Sequence, residues 1–397
     1  MMRKRAPQRR GGYNCGVPSG TRFRAVTGLG LAGVALGALG ALAGCQDARV
    51  IAIHVNAPLP DAAIEAPTDA PGPDASSTDA PIGDGGGSDV SGPIVCTLSG
   101  PIGYANWMGT TTGGGTGAVV NVTTVDQLKM YAAMTVPLVI QIDVMLSLTG
   151  QVAVQPDKTI LGTAPGAGLT GGGLLLTDTH NVIVQNLTIS NAKATDAITV
   201  QRAQHIWIDH CDLTATRTDL VGTYDDLIDI NHASDFVTVS WTHLHDAFDE
   251  GLVGNSPSPA AMLEDPGHLT VTYHHNWFQD VDNHSPRVRF GSVHVFNNLY
   301  QDIRSTAIIS QMNAVIRVEG NVFSHVGFPI NTVYIDPLEG TVNTDALAKN
   351  VFDLTSGAST ITMTNTWIPP YVGMYRVDST DVVPLLVQTC AGPQFSP

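Results

Sequence analysis

Six short β-type phrases within residues 181–323 constrain this chain more than any other feature, because their spacing suits a stacked fold. They occupy residues 182–189, 206–213, 237–244, 269–278, 293–300 and 315–323. Each is rich in β-branched and aromatic residues and ends on a closing apolar side chain: Ile189, Leu213, Leu244, Phe278, Tyr300 and Phe323. Successive closers lie roughly 22 to 34 residues apart, the range of a solenoid repeat. No helical period of that length intervenes, which argues against βαβ crossovers and for a parallel β-helix in which each coil buries its neighbour's face. Asn276, Asn298 and Asn321 align in one column, and a side-chain amide carries both a donor and an acceptor for bonding along the stack. Residues 138–144 and 158–162 continue the pattern upstream, so the array is expected over most of residues 98–365.

Outside the array the chain changes character. Residues 1–26 carry seven basic and no acidic side chains, and the following Gly, Ala, Leu and Val run ends in Leu42-Ala43-Gly44-Cys45. A basic segment, an apolar segment and small residues before a cleavage point describe an export signal. Leu-Ala-Gly-Cys resembles the bacterial lipobox, which implies cleavage before Cys45 and acylation of its thiol. The competing reading is a plain signal peptide or an uncleaved anchor. Residues 46–92 are dominated by Asp, Ala, Pro, Gly and Ser and have too little apolar surface to offset ordering entropy; a disordered spacer is expected. Residues 93–397 then form the β-helical domain. The protein is expected to be exported, and lipid-anchored at the bacterial cell envelope or secreted.

Of the three cysteines in the domain, Cys211 sits inside an apolar phrase and reads as a buried thiol. Cys96 and Cys390 bracket the domain in an oxidising compartment and are candidates to pair, although connectivity does not follow from sequence. No zinc spacing is present. The formal charge of −16 argues against a nucleic-acid partner, which needs a basic face. It does not exclude an anionic substrate held through a cation.

Acidic residues gather in one part of the array. In Leu227-Ile228-Asp229-Ile230 the two isoleucines are expected to face inward and Asp229 outward, with Asp225 on the same side. Asp196 opens the equivalent strand one coil earlier. Stacked coils lie about 4.8 Å apart, so these carboxylates can converge. A hard cation such as Ca2+ would hold them together; a solvated acidic edge is the alternative.

Several ordered motifs resemble the pectate and pectin lyase family. They are Gly109-Thr110-Thr111-Thr112-Gly113-Gly114-Gly115, Thr159-Ile160-Leu161-Gly162, Ile206-Trp207-Ile208-Asp209-His210-Cys211, Asp225-Asp226-Leu227-Ile228-Asp229-Ile230, Val237-Thr238-Val239-Ser240-Trp241 and Pro286-Arg287-Val288-Arg289-Phe290-Gly291. The resemblance runs from about residue 98 to the close of the chain. It implies an all-β fold, a right-handed parallel β-helix, and cleavage of polygalacturonate by β-elimination. It also implies Ca2+ as cofactor, with Asp196, Asp225 and Asp229 on the positions of its ligands. Arg289 matches a guanidinium that binds the sugar acid, and Arg287 is assigned to substrate binding or structure.

Two positions depart from that pattern. The family's base arginine is replaced by His284, and imidazole, titrating near 6.5, can act as a base at neutral pH. The competing reading is loss of function. The family's substrate lysine is replaced by Asp249, whose charge would repel a uronate unless a cation intervenes. His274, His275, His294, Trp207 and Trp241 read as core or turn residues. The leading expectation is a monomeric Ca2+-dependent lyase acting on pectate or a related uronic-acid polymer, with His284 as base. A non-catalytic surface glycan-binding protein is the alternative. A hydrolase using carboxylates among Asp225, Asp229, Asp246, Asp249 and Glu250 ranks last, because hydrolase motifs are absent.

Overall fold

The computed structural model describes residues 94, 96, 99–216, 223–333 and 336–395. The export signal, lipobox and spacer expected within residues 1–92 lie outside the described residues.

Three parallel sheets wind into a solenoid of about 10 turns. The first sheet has 11 strands, the second 8 and the third 9. One coil shows the path. Gln204–Asp209 belongs to the first sheet, Asp212–Thr214 to the third, and Ile228–Asn231 to the second, after which Asp235–Ser240 returns to the first. Each phrase seen in the sequence is therefore a first-sheet strand, a tight turn and a third-sheet strand. Strands begin at Ala118 and end at Asn365, matching the expected array except for its first residues.

The tight turn is built by one residue with positive φ followed by one side chain that bonds along the stack. His210, Trp241, His275, Asn297 and Gly320 take the left-handed conformation. The next residues form a ladder: the backbone N–H groups of Cys211, Thr242, Asn276, Asn298 and Asn321 donate to side-chain oxygens of Thr242, Asn276, Asn298, Asn321 and Asn350. The asparagine column is thus structural, and it extends one coil beyond the three residues expected. Four of its members, Thr242, Asn276, Asn298 and Asn321, are fully buried, which leaves no water to replace a lost partner.

The closing apolar residues form a second column, with Leu213 in register with Leu244, Leu244 with Phe278, Phe278 with Tyr300 and Tyr300 with Phe323. The rings of Phe278, Tyr300, Phe323 and Phe352 stack at 4.7, 4.6 and 5.0 Å. Such side chains contribute about 1.5–3 kcal/mol each by burial, with a further gain from ring contact.

Two helices close the body. Val125–Ala132 is started by a capping box between Thr124 and Gln127 and buries Leu128 and Ala132. Val383–Cys390 lays Val383 and Val387 against Leu299 and Val322 beside Trp277. Its last residue, Cys390, is joined to Cys96 in a disulfide, with Cα atoms 5.4 Å apart. Cys211 is a buried free thiol.

Candidate active site

Connections that run from the third sheet to the second deliver the acidic residues and His284 to the edge of the second sheet. Register explains the convergence. Thr199 pairs with Asp229, Asp229 with Leu252, Leu252 with Arg287 and Arg287 with Ile309. Asp229 and Arg287 therefore share an outward column two strand spacings apart, about 9–10 Å. Arg289 lies two residues along the same strand, on the same face.

Asp196, Asp225 and Asp226 bring carboxylate oxygens within 4.8 Å of one another. Asp229 stands in the field of Asp196 and Asp225; its Oδ2 accepts from Asn231 Nδ2 at 2.8 Å, while its buried Oδ1 has no partner. The tight trio thus contains Asp226, which the sequence reading had not assigned to the cation, with Asp229 beside it. The run Asp225-Asp226 held the signal; loop conformation decided which carboxylate turned inward. Burial, with Asp225 adding repulsion, pushes Asp196 up to about 6 against the pull of the Thr199 hydroxyl. Burial and then Asp196 and Asp225 push Asp229 up to about 8. Burial and four neighbouring carboxylates, Asp229 and Asp249 foremost, hold Asp226 well above the usual range.

These groups fit a hard cation. Two oxygens bound to one Ca2+ at 2.3–2.6 Å are at most about 5.2 Å apart, which the trio satisfies, and the orphaned Asp229 Oδ1 supplies a further donor. A divalent charge would also offset the repulsion that otherwise favours protonation.

The two positions that depart from the family pattern touch. Asp249 Oδ1 lies 3.2 Å from His284 Nδ1, and the backbones of Asp249 and Asn283 form a parallel bridge. The contact lacks the alignment of a full hydrogen bond, and His284 Nε2 is buried without a partner. His284 has a φ of 62°, so its side chain is aimed by a left-handed backbone, which is uncommon outside glycine. Nearby, Glu250 is fully buried with neither carboxylate oxygen bonded, and burial keeps its carboxyl well above the usual range.

Arg287 and Arg289 share one carboxylate, that of Asp336, which sequence reasoning missed. Arg287 Nη2 donates to Oδ1 at 2.9 Å and Arg289 Nε to Oδ2 at 2.6 Å. Arg289 Nη1 donates to the carbonyls of Gly254 and Asn255 at 3.0 and 2.8 Å, and Arg287 Nε to Gln311 Oε1 at 2.7 Å. Nothing near Asp336 in the sequence marks it, because a distant loop brings it in. His274, His275, His294 and Trp207 are buried, as expected of core and turn residues; Trp241 is half-buried between His210 and His275.

The sequence is matched by a family model described as pectate lyase, over residues 95–394. The chain belongs to the pectate lyase family. It is 37% identical over 226 residues to probable pectate lyase B of Aspergillus flavus, spanning 56% of this chain and 68% of that protein. It is 32% identical over 303 residues to pectate trisaccharide-lyase of Bacillus licheniformis, covering 73% and 85% of the two chains. The crystal structure of a pectate lyase from Bacillus sp. N165 in complex with trigalacturonate superposes with a TM-score of 0.64 at 26% identity. That match covers 74% of this family member and 98% of the Bacillus chain.

Proposed function

We propose that this protein is a polysaccharide lyase that cleaves pectate by Ca2+-dependent β-elimination with His284 as the base. The observation that carries the reading is the placement of His284. Its Nδ1 faces a carboxylate, which favours the tautomer with the proton on Nδ1 and the lone pair on Nε2. Asp249, in place of the family's lysine, is thereby a positioning residue and not a repulsive contact. Asp196, Asp225, Asp226 and Asp229 would hold the cation. When bound, Ca2+ withdraws charge from a uronate carboxylate and acidifies the neighbouring C–H.

His284 Nε2, buried in this structure, must turn out to the bound sugar. It then takes the C5 proton, the freed electron pair becomes the C4–C5 double bond, and the C4–O bond breaks with its electrons passing to the leaving oxygen. That oxygen then gains a proton from solvent. Arg289 offers its free Nη2 to the sugar acid, since its other nitrogens are engaged.

A second reading, a non-catalytic glycan binder, is favoured by the two departures from the family pattern, His284 in place of the base arginine and Asp249 in place of the substrate lysine. Ultraviolet absorbance of the unsaturated uronate separates the two. A Ca2+-dependent rise on polygalacturonate that His284→Ala abolishes is the lyase outcome. Binding without any rise, unaffected by His284→Ala, would sink it.

We also propose export and lipidation at Cys45, with the domain acting as a monomer beyond its spacer. The basic and apolar runs, the Leu-Ala-Gly-Cys tetrad and the Cys96–Cys390 disulfide support this. Metabolic labelling with a palmitate analogue, lost in Cys45→Ser, tests the anchor.

A further inference from the structure

On the third sheet, away from the acidic edge, Asp212, His243 and His245 converge without any role in the proposed chemistry. His243 and His245 are alternate residues of one strand and so share a face. Asp212 is the register partner of His243 on the next strand. Asp212 Oδ2 lies 3.6 Å from His243 Nδ1 and 3.3 Å from His245 Nε2. Ligand bonds of about 2.0–2.2 Å at a tetrahedral angle place donor atoms roughly 3.3–3.6 Å apart, the separations found here.

The nitrogens turned away from this point are each tied to an acceptor. His243 Nε2 is 2.9 Å from Gln279 Oε1, and His245 Nδ1 is 2.7 Å from Asp246 Oδ2. In the tautomers with those protons outward, both inward nitrogens present lone pairs towards a carboxylate oxygen, a repulsion that a cation between them relieves. Metal-binding histidines are held in this manner, the far N–H fixed by a carboxylate or carbonyl. Protonating both imidazoles is the other way to relieve the repulsion. Against the penalty of burial, Asp212 and Asp246 favour it at His245, but two positive rings stacked at 4.0 Å repel each other, with Trp277 on the other face of His243 at 4.2 Å. The three side chains are 16–27% exposed, which leaves a route of entry and room for a water ligand.

We propose that Asp212, His243 and His245 form a binding site for one divalent transition metal of the Zn2+ type, linking two successive coils through the third sheet. Two imidazoles and one carboxylate suit a borderline metal, whereas Ca2+ prefers an all-oxygen shell. The site does not rest on the lyase reading.

The test is calorimetric titration of the metal-stripped protein with Zn2+ in excess Ca2+, which occupies the acidic edge. Co2+ is added in parallel to read its visible absorption. The expected result is one Zn2+ per chain, with affinity reduced 100-fold or more in Asp212→Asn and in His245→Ala. Asp246→Asn removes no ligand and sits at an exposed carboxylate, so its folding is not at stake; it is expected to weaken binding about tenfold. Equal Zn2+ binding in wild type, Asp212→Asn and Asp246→Asn would overturn the proposal, as would the absence of Zn2+ binding by the folded wild type.

Discussion

Replacing Asp229 with asparagine keeps the shape of a buried side chain while removing its charge. Burial and the charges of Asp196 and Asp225 push this carboxyl up to about 8, against an ordinary value of 3.8. In metal-free protein the folded state therefore binds this proton more tightly than the unfolded state does. The associated stability is complete below about pH 4 and is lost as pH rises through about 8. At pH 7 the loss has run over roughly three pH units, and at about 1.36 kcal/mol per unit it reaches about 4 kcal/mol. Asp196 and Asp225 share the repulsion and relax when it is removed, so Asp229→Asn should recover about 2–4 kcal/mol at pH 7–8. Urea unfolding in chelator at pH 5, 7 and 8 reads this directly. The wild type should lose stability across the series and the variant should lose less. Adding Ca2+ should close most of the gap, because ligand at 100 times its Kd adds about 2.7 kcal/mol to the protein that binds it. If the wild type is flat from pH 5 to 8 in chelator and the variant is no more stable, Asp229 does not sit in an acidic field. The electrostatic case for a cation there then fails.

Asp249→Asn should lower kcat on polygalacturonate tenfold or more with little change in KM, because it loosens His284 without touching the sugar; steady-state kinetics checks the split. Asp336→Ala leaves two buried guanidinium groups without their carboxylate and should cost about 3–5 kcal/mol in chemical denaturation. Asn298→Ala removes bonds to Tyr273 O, Phe296 O and Asn321 Oδ1 and strands the amides of Asn276. At about 1–3 kcal/mol for each stranded buried group, its unfolding midpoint should drop by the equivalent of 3 kcal/mol or more.

The first and third sheets were legible in the sequence because one phrase encodes both strands and the turn between them at fixed internal spacing. Hence Ile189 to Phe323 could be aligned and the asparagine column found. The second sheet was harder to read. Its strands, such as Gly251–Val253 and Arg287–Arg289, are only three residues long and follow connections of unequal length. His284 and Asp249 were each singled out, but as separate departures, since nothing local says that residues 35 apart will touch. Asp336 and the Asp212, His243 and His245 cluster were missed for the same reason: their partners lie in other coils. The pairing of Cys96 with Cys390 was posed by sequence and decided by the C-terminal helix, which carries Cys390 back along the third sheet.

That disulfide has a consequence for the integrity of the domain. It joins residues 294 apart and so closes nearly the whole β-helix into a covalent ring. On chain-entropy grounds, a loop of that size denies the unfolded chain roughly 5–6 kcal/mol of freedom. A single cut in any of the connections that reach the acidic edge would convert the ring to a permuted linear chain without shedding a fragment. The surface loops around the site thus survive a single nick without loss of a fragment, as long as the bond stays oxidised.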